Sequence, residues 1–166
     1  MAKKDAGKAK STGKADESGV KIVARNRRAR HDYELMEKVE AGLVLTGTEV
    51  KSLRNGKANL EDAYADVDGG EVWLKGCDIP EYLQANQMNH VPKRPRKLLL
   101  HRREIAKLEN KTGEKGMTLI PISIYFKKGI AKVELFVARG RKTFDKREAI
   151  KKQDAKRDID RAMRRR

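Results

Sequence analysis

The sequence predicts a mainly β protein: a small closed barrel with short flanking helices and a basic C-terminal tail. Three observations predict it. Short stretches of alternating apolar and polar residues, punctuated by turn residues, recur between Val20 and Ala138. Only two short stretches within that span carry helical spacing, which favours a barrel over a layered α/β sheet. The last strand-like stretch then runs into a segment from Arg139 to Arg166 with thirteen Lys/Arg against five Asp/Glu, a net +8 out of +16 for the chain. A segment so charged cannot bury itself and calls for a polyanionic partner.

The elements follow in order. Residues 1–19 carry Lys, Gly, Ser, Thr and Ala without apolar periodicity and are expected to be a disordered arm. Order begins near Val20–Val23. Val39, Ala41, Leu43 and Leu45 alternate with Glu40, Gly42 and Val44, a strand with one buried face. Thr46-Gly-Thr-Glu49 has capping-box spacing, Val50 and Leu53 follow on one side, and Gly56 suits the left-handed position after a helix. Ala63, Ala65 and Val67 lead to the turn Asp68-Gly69-Gly70 and a partner stretch Glu71–Ile79, a hairpin signal. His101–Asn110, with Ile105 and Leu108, is the second helix. Ile120, Ile122, Ile124 and Phe126 are expected on one face; Ala131, Val133, Leu135 and Val137 on the facing one, joined through Lys127-Lys128-Gly129. In the tail, Asp145-Lys-Arg-Glu148 has helix-start spacing, and Ala155, Ile159, Ala162 and Met163 share one side of a helical wheel. That stripe is too thin to hold a helix alone, so the tail is expected to be mobile when free and helical when bound. The organisation is therefore an arm (1–19), a barrel domain (20–138) and a tail (139–166).

Composition limits the function. With 38% hydrophobic, 39% charged and 5% aromatic residues the chain supports only a small core. A pI near 10.0 makes a nucleic acid the leading partner. A membrane is disfavoured, because the apolar runs are short and the basic helix candidates lack a face that would sink into lipid. Cys77 stands alone and the N-terminus has no apolar signal-peptide run, so a cytoplasmic protein is expected. No enzyme chemistry is visible. His31, His90 and His101 are scattered without metal-ligand spacing and are expected at the surface or in contacts; no metal and no cofactor is expected. Gly56-Lys57-Ala58 lacks the rest of a phosphate loop. Cys77 is expected as a small core residue of a strand, and Glu34, Glu37 and Glu40 as solvated charges.

Three basic clusters precede the tail. Arg25-Asn-Arg-Arg-Ala-Arg-His31 combines guanidinium forks, suited to phosphates, with an amide and an imidazole suited to base or ribose edges, which favours contact over a solvated linker. Lys51, Arg54 and Lys57, followed by Asn59, fit either contact or a solvated helix face. Pro92-Lys-Arg-Pro-Arg-Lys97 is a proline-stiffened loop that fits either RNA contact or an inert linker. Tyr33, Tyr64, Trp73, Tyr82 and Tyr125 are too dispersed for a base-stacking platform, so recognition of a folded RNA by shape and phosphates is expected.

Specific strings also carry a resemblance. Asn26-Arg-Arg-Ala-Arg-His-Asp-Tyr33, Glu40-Ala-Gly, Gly47-Thr-Glu-Val-Lys-Ser-Leu-Arg-Asn-Gly-Lys-Ala-Asn59, Arg96-Lys-Leu-Leu-Leu100, Arg103-Glu-Ile, Ala131-Lys-Val-Glu-Leu135, Ala138-Arg-Gly and Asp145-Lys-Arg147 resemble the bacterial SsrA-binding (small protein B) family over about residues 20–166. The resemblance implies an oligonucleotide-binding (OB) fold that binds the tRNA-like domain of transfer-messenger RNA. It further implies delivery of that RNA, in a complex with elongation factor Tu, to the vacant A site of a stalled ribosome for trans-translation. A monomer is expected. The RNA-facing residues it implies are Asn26, Arg27, Arg28, Arg30, His31, Glu40, Arg54, Lys57, Asn59, Arg96, Lys97 and Leu99. Glu40 would accept hydrogen bonds from a base amino or ribose hydroxyl; Leu99 fits either the core or an apolar RNA-packing surface. The ribosome-facing tail, set at the small-subunit decoding centre and in the mRNA channel, would comprise Arg139, Gly140, Arg141, Lys142, Phe144, Asp145, Lys146, Arg147, Lys151, Lys152, Lys156, Arg157, Ile159, Arg161 and Met163. Gly140 would let the chain leave the barrel, Asp145 would cap the tail helix, and Phe144 would stack where the family commonly has His or Tyr. The alternative is a structural ribosomal protein or a general RNA-binding protein, which stoichiometry on ribosomal subunits would reveal.

Overall fold

Asp68 and Glu71 face each other across Gly69-Gly70, both glycines in the left-handed region (φ +59 and +73) that a two-residue hairpin turn demands. This hairpin is one corner of a ring. The computed structural model of the chain describes residues 19–85 and 89–141, together with Met163; the arm before Gly19 and the tail helix expected from Asp145 lie outside the described residues, Met163 apart.

The strands are β1 (Val20–Arg25), β2 (Tyr33–Leu43), β3 (Tyr64–Asp68), β4 (Glu71–Lys75), β5 (Arg96–Leu99), β6 (Met117–Lys127) and β7 (Ile130–Gly140). All their pairings are antiparallel, in the circuit β6–β3–β4–β5–β2–β7 and back to β6. The barrel is thus closed. β6 reaches three neighbours because it is long: Leu119 pairs with β3, its later residues pair with β1, and β7 takes its other edge. Val133, Leu135, Leu74, Val72, Leu98, Leu119 and Ile124 fill the interior. The mainly β, OB-type barrel expected from the sequence is the observed fold.

The expected helices form where the caps place them. α2 (Gly47–Arg54) starts with the Thr46 N–H donating to Glu49 Oε2 at 2.7 Å, and Gly56 takes φ +72 just past its end. α3 (Arg102–Thr112) begins with the same device, the His101 N–H donating to Glu104 at 2.9 Å. It buries Leu108 in the core, and Lys107 and Lys111 pair with Glu37.

Several expectations need correction. Ile120 and Ile122 do not share a face with Ile124 and Phe126. A bulge between Pro121 and Ser123 flips the alternation, so the first two point outward and the last two inward. A second bulge, between Leu35 and Glu37, does the same on β2. The outward residues Leu35, Ile120, Ile122, Phe136 and Ala138 form a small external cluster, which a short helix, α1 (Ala29–Asp32), covers through Ala29. No sequence period announced α1, because four residues carry none. Arg96–Lys97, expected in a loop, opens β5. Cys77 lies beyond β4; it is buried, and desolvation pushes its thiol up to about 11. His90 is not a surface residue: it is buried, its ring bonded to Thr48 Oγ1 and to the Ile79 carbonyl, each at 2.9 Å. β7 continues through Gly140, and the Arg141 N–H donates to the Asp32 carbonyl at 3.0 Å, so Arg139 and Gly140 belong to the barrel's last strand.

A charged pair lies at the centre. Glu49 and Arg96 are both fully buried, with Arg96 Nε donating to Glu49 Oε1 at 2.8 Å. Arg94 adds Nε to Oε1 at 2.8 Å and Nη2 to Oε2 at 2.6 Å. The Arg96 Nη1 and Nη2 donors reach the carbonyls of Cys77, Arg94 and Pro92 at 2.6, 3.1 and 2.8 Å. Burial alone would push the Glu49 carboxyl up. Hydrogen bonds from Arg94 and the Thr46 N–H, with the Arg96 charge, hold it below its ordinary range instead. Glu49→Gln is expected to destabilise the fold by about 3–5 kcal/mol in urea titration, since Arg96 keeps its charge without its partner. Because the folded carboxyl ionises more readily than the unfolded one, its contribution is present above about pH 4.3 and is lost as the pH falls through the lower folded value. The parent should therefore lose stability on acidification in this range more steeply than Glu49→Gln does.

Candidate nucleic-acid interface

The first basic cluster divides into an inner and an outer half. The Asn26 N–H donates to the Ile122 carbonyl at 2.8 Å, its side-chain Nδ2 donates to the Leu60 carbonyl at 2.8 Å, and its Oδ1 accepts from the Ala29 N–H at 3.0 Å. Asn26 and Ala29 are buried, whereas Arg27, Arg28, Arg30 and His31 are exposed around the turn between them. Asn26 is therefore a fastener of the turn, its amide hydrogen-bonded inside the fold, while it also lines the groove beside Arg25, Arg27 and Arg30. Asp32 at the end of the turn accepts from His31 Nδ1 at 3.0 Å and lies 4.0 Å from Arg28 Nε.

The third cluster is mostly structural. Arg94 and Arg96 turn inward to Glu49, so Arg96 is not available to RNA. Its neighbours on β5 alternate out of the barrel: Lys97 pairs with Glu71, and Leu99 is 56% exposed. Leu99 is thus an outward apolar surface and not core. It packs over Gly42 of β2, where a Cβ would lie 3.3 Å from Leu99 Cβ. Arg54 at the end of α2, and Lys57 and Asn59 after it, are exposed, and Lys21 Nζ donates to the Arg54 carbonyl at 3.3 Å, which places this cluster beside β1. Lys51 stands 5.6 Å from the Tyr82 ring centre.

Glu40 lies on the outward face of β2. It accepts from the Tyr125 hydroxyl and from Lys132, with Lys127 at 3.9 Å. The Lys132 and Tyr125 hydrogen bonds keep its carboxyl below the ordinary range, and burial, with the Glu40 bond, pushes the Tyr125 phenol up. Glu37 and Glu40 are ion-paired, not simply solvated. A groove of about 620 Å³ runs from Arg25, Arg27 and Arg30 to Glu40, over a floor that includes Lys38, Ser123, Tyr125 and Glu134. A second, of about 660 Å³, joins Glu40 and Lys132 to Leu99 and α3. The structure thus brings Asn26, Arg27, Arg30 and Glu40 to one groove, and Glu40 and Leu99 to the next.

Lys38, Tyr125, Lys132 and Glu134 were missed from the sequence, although the Ala131-Lys-Val-Glu-Leu135 alternation already places Lys132 and Glu134 outward. Of the tail residues, Lys142, Phe144, Asp145, Lys146, Arg147, Lys151, Lys152, Lys156, Arg157, Ile159 and Arg161 lie outside the described residues; Met163 is exposed. Among the described residues no His/Cys/Asp/Glu group could hold a metal, and no helix is long and apolar enough to cross a membrane.

A closed antiparallel barrel whose outer face gathers arginines and lysines around paired acceptors is of the nucleic-acid-binding class. Comparison with known proteins narrows this. The model of the SmpB protein family matches residues 23–165, and the chain belongs to that family, one of RNA-binding proteins and not enzymes. The SsrA-binding protein of Thermobifida fusca is 59% identical over 148 residues, 89% of this chain and 92% of the relative. That of Acidothermus cellulolyticus is 56% identical over 152 residues, 92% and 96% of the two chains. A solved structure described as "tmRNA-SmpB: a journey to the center of the bacterial ribosome" matches with a TM-score of 0.64 at 47% identity, covering 78% of this chain and 94% of that one.

Asn26→Ala should cost about 1–3 kcal/mol by orphaning the buried Ala29 N–H and removing one of the two hydrogen bonds to the Leu60 carbonyl, which keeps the Ala63 N–H at 3.2 Å. It should also weaken RNA binding without removing a cation, because the arginine turn loses its anchor. Melting and binding measured together check this; unchanged affinity in a destabilised variant would mean the arginines do not depend on the turn.

Proposed function

We propose that this chain binds the tRNA-like domain of transfer-messenger RNA and delivers it to the A site of stalled ribosomes, enabling trans-translation, ribosome rescue and tagging of nascent chains. The observation that carries the RNA contact is the set of outward cations Arg27, Arg28 and Arg30 on a turn locked into the barrel by Asn26. Its support is membership of the SmpB family and likeness to a chain from a tmRNA–SmpB structure. In this proposal the guanidinium forks hold phosphates, Glu40 accepts from a base or ribose donor, Leu99 packs against the RNA, and Arg54, Lys57, Asn59 and Lys97 extend the contact.

The tail is a second, separable contact. With a net +8 from Arg139 onward it suits a channel walled by ribosomal RNA, and we place it in the vacant mRNA path at the small-subunit decoding centre, where Phe144 would stack. The chain would act in the cytoplasm as a monomer, in a delivery complex that includes elongation factor Tu.

Two measurements test this. Neutralising Arg27, Arg28 and Arg30 should weaken RNA binding and flatten its log–log salt dependence by about 0.7–0.9 for each lost phosphate contact. An unchanged slope means that they do not touch phosphate. Truncation after Arg141 should leave RNA binding largely intact while abolishing tagging on messages without stop codons; joint loss of both activities would refute two separable contacts.

A further inference from the structure

On the outer face of the barrel two carboxylates stand directly opposite each other. Glu40 of β2 and Glu134 of β7 are register partners, a like-charge pairing that a sheet ordinarily avoids. Each is bound by a lysine from the other strand, Glu40 by Lys132 and Glu134 by Lys38. Each also accepts from a hydroxyl of β6: Tyr125 donates to Glu40, and Ser123 donates to Glu134 at 2.9 Å. These bonds take one lone pair from each carboxylate oxygen and leave the other. Both residues line the groove of about 620 Å³ that has Arg25, Arg27 and Arg30 along one side, a size suited to a small ligand.

A groove built only for phosphate would gain nothing from two carboxylates, since they repel it. Acceptors set among arginines instead fit a ligand with an anionic backbone and a donor-bearing edge. We propose that this groove is a nucleotide site in which an unpaired guanosine of the bound RNA presents its donors to Glu134 and Glu40 while its flanking phosphates lie on Arg27 and Arg30. Guanine fits best because its Watson–Crick edge carries two adjacent donors, N1–H and N2–H, matching the two oxygens of a carboxylate. A single-stranded base exposes that edge, and the ribose adds its 2′-hydroxyl. This rests on the RNA-binding function proposed above and assigns Glu134, Ser123 and Lys38 a part in specificity.

The test uses the full chain with two RNAs of equal length, the tRNA-like domain and a plain duplex. Glu134→Gln keeps one acceptor oxygen but places an amide donor where a second acceptor is needed. It should melt within a few degrees of the parent. It should bind the tRNA-like RNA about tenfold more weakly or worse, with duplex binding unchanged. In the parent complex one unpaired guanine should be protected from kethoxal, which attacks N1 and N2, and with saturating Glu134→Gln it should react again. Ser123→Ala, which retains the carboxylate, should give a smaller loss in the same direction. Equal or tighter binding by Glu134→Gln, equal loss on both RNAs, or the absence of a protected guanine overturns the site. If the parent itself does not prefer the tRNA-like RNA, the underlying function fails; if it does and Glu134→Gln is unaffected, only the guanine site fails.

Discussion

The buried carboxylate of Glu49 is the constraint around which much of the chain is arranged. An ion removed from water costs several kcal/mol unless its lone pairs are met, and here they are met from three directions: the start of α2 through Thr46, the connection before β5 through Arg94, and β5 itself through Arg96. Arg96 in turn gathers the carbonyls of Cys77, Pro92 and Arg94, so the two ends of the connection from β4 to β5 are tied to β5. A lysine could not replace it, because the three nitrogens of a guanidinium reach partners fixed in different directions. The same constraint trims the functional charge. Two of the four cations in Pro92–Lys97 serve the fold, and the surface presented to a polyanion is smaller than the formal +16 implies.

The outer face depends on two strand irregularities. Bulges in β2 and β6 reverse the alternation near the β7 end, so that Leu35, Ile120 and Ile122 emerge on the outside of a barrel whose inside remains apolar. Exposed, that patch would be a liability; covered by Ala29, it becomes the seat of α1. The Asn-Arg-Arg-Ala-Arg string then has a physical meaning. Its Asn and Ala point into the seat, and its arginines are what remains outside.

Much of the barrel was legible because its strands alternate cleanly, as in Ala131, Val133, Leu135 and Val137, and because Asp68-Gly69-Gly70 and Thr46-Gly-Thr-Glu49 have one local meaning each. What was not legible depends on partners distant in sequence. Arg96 is written as one more cation in a basic run, and only Glu49, far upstream, makes it a core residue. Asn26 reads in sequence as an amide for base or ribose edges, and its tie to the Leu60 carbonyl is visible only in the fold. A bulge leaves no trace in composition, so Ile120 and Ile124 were expected on the same face. Glu134 was hidden for the opposite reason: a carboxylate alternating with lysine on a half-exposed strand is ordinary, and its pairing with Glu40 arises only from the β2–β7 register.

That register also relates the two ends of the interface. Tyr33 faces Gly140, and the Arg141 N–H closes on the carbonyl of Asp32, the residue that ends α1. The arginine turn and the root of the basic tail therefore share one backbone ladder, and their relative orientation is set by the barrel as far as Arg141. An RNA held on Arg27 and Arg30 would then be held at a fixed position relative to the point where the tail departs. If the tail must find its own channel while the RNA enters its site, this common origin makes the geometry of one contact report on the other. No moving part within the barrel would be needed for this, because α1 leads directly into β2 and β2 is paired with β7.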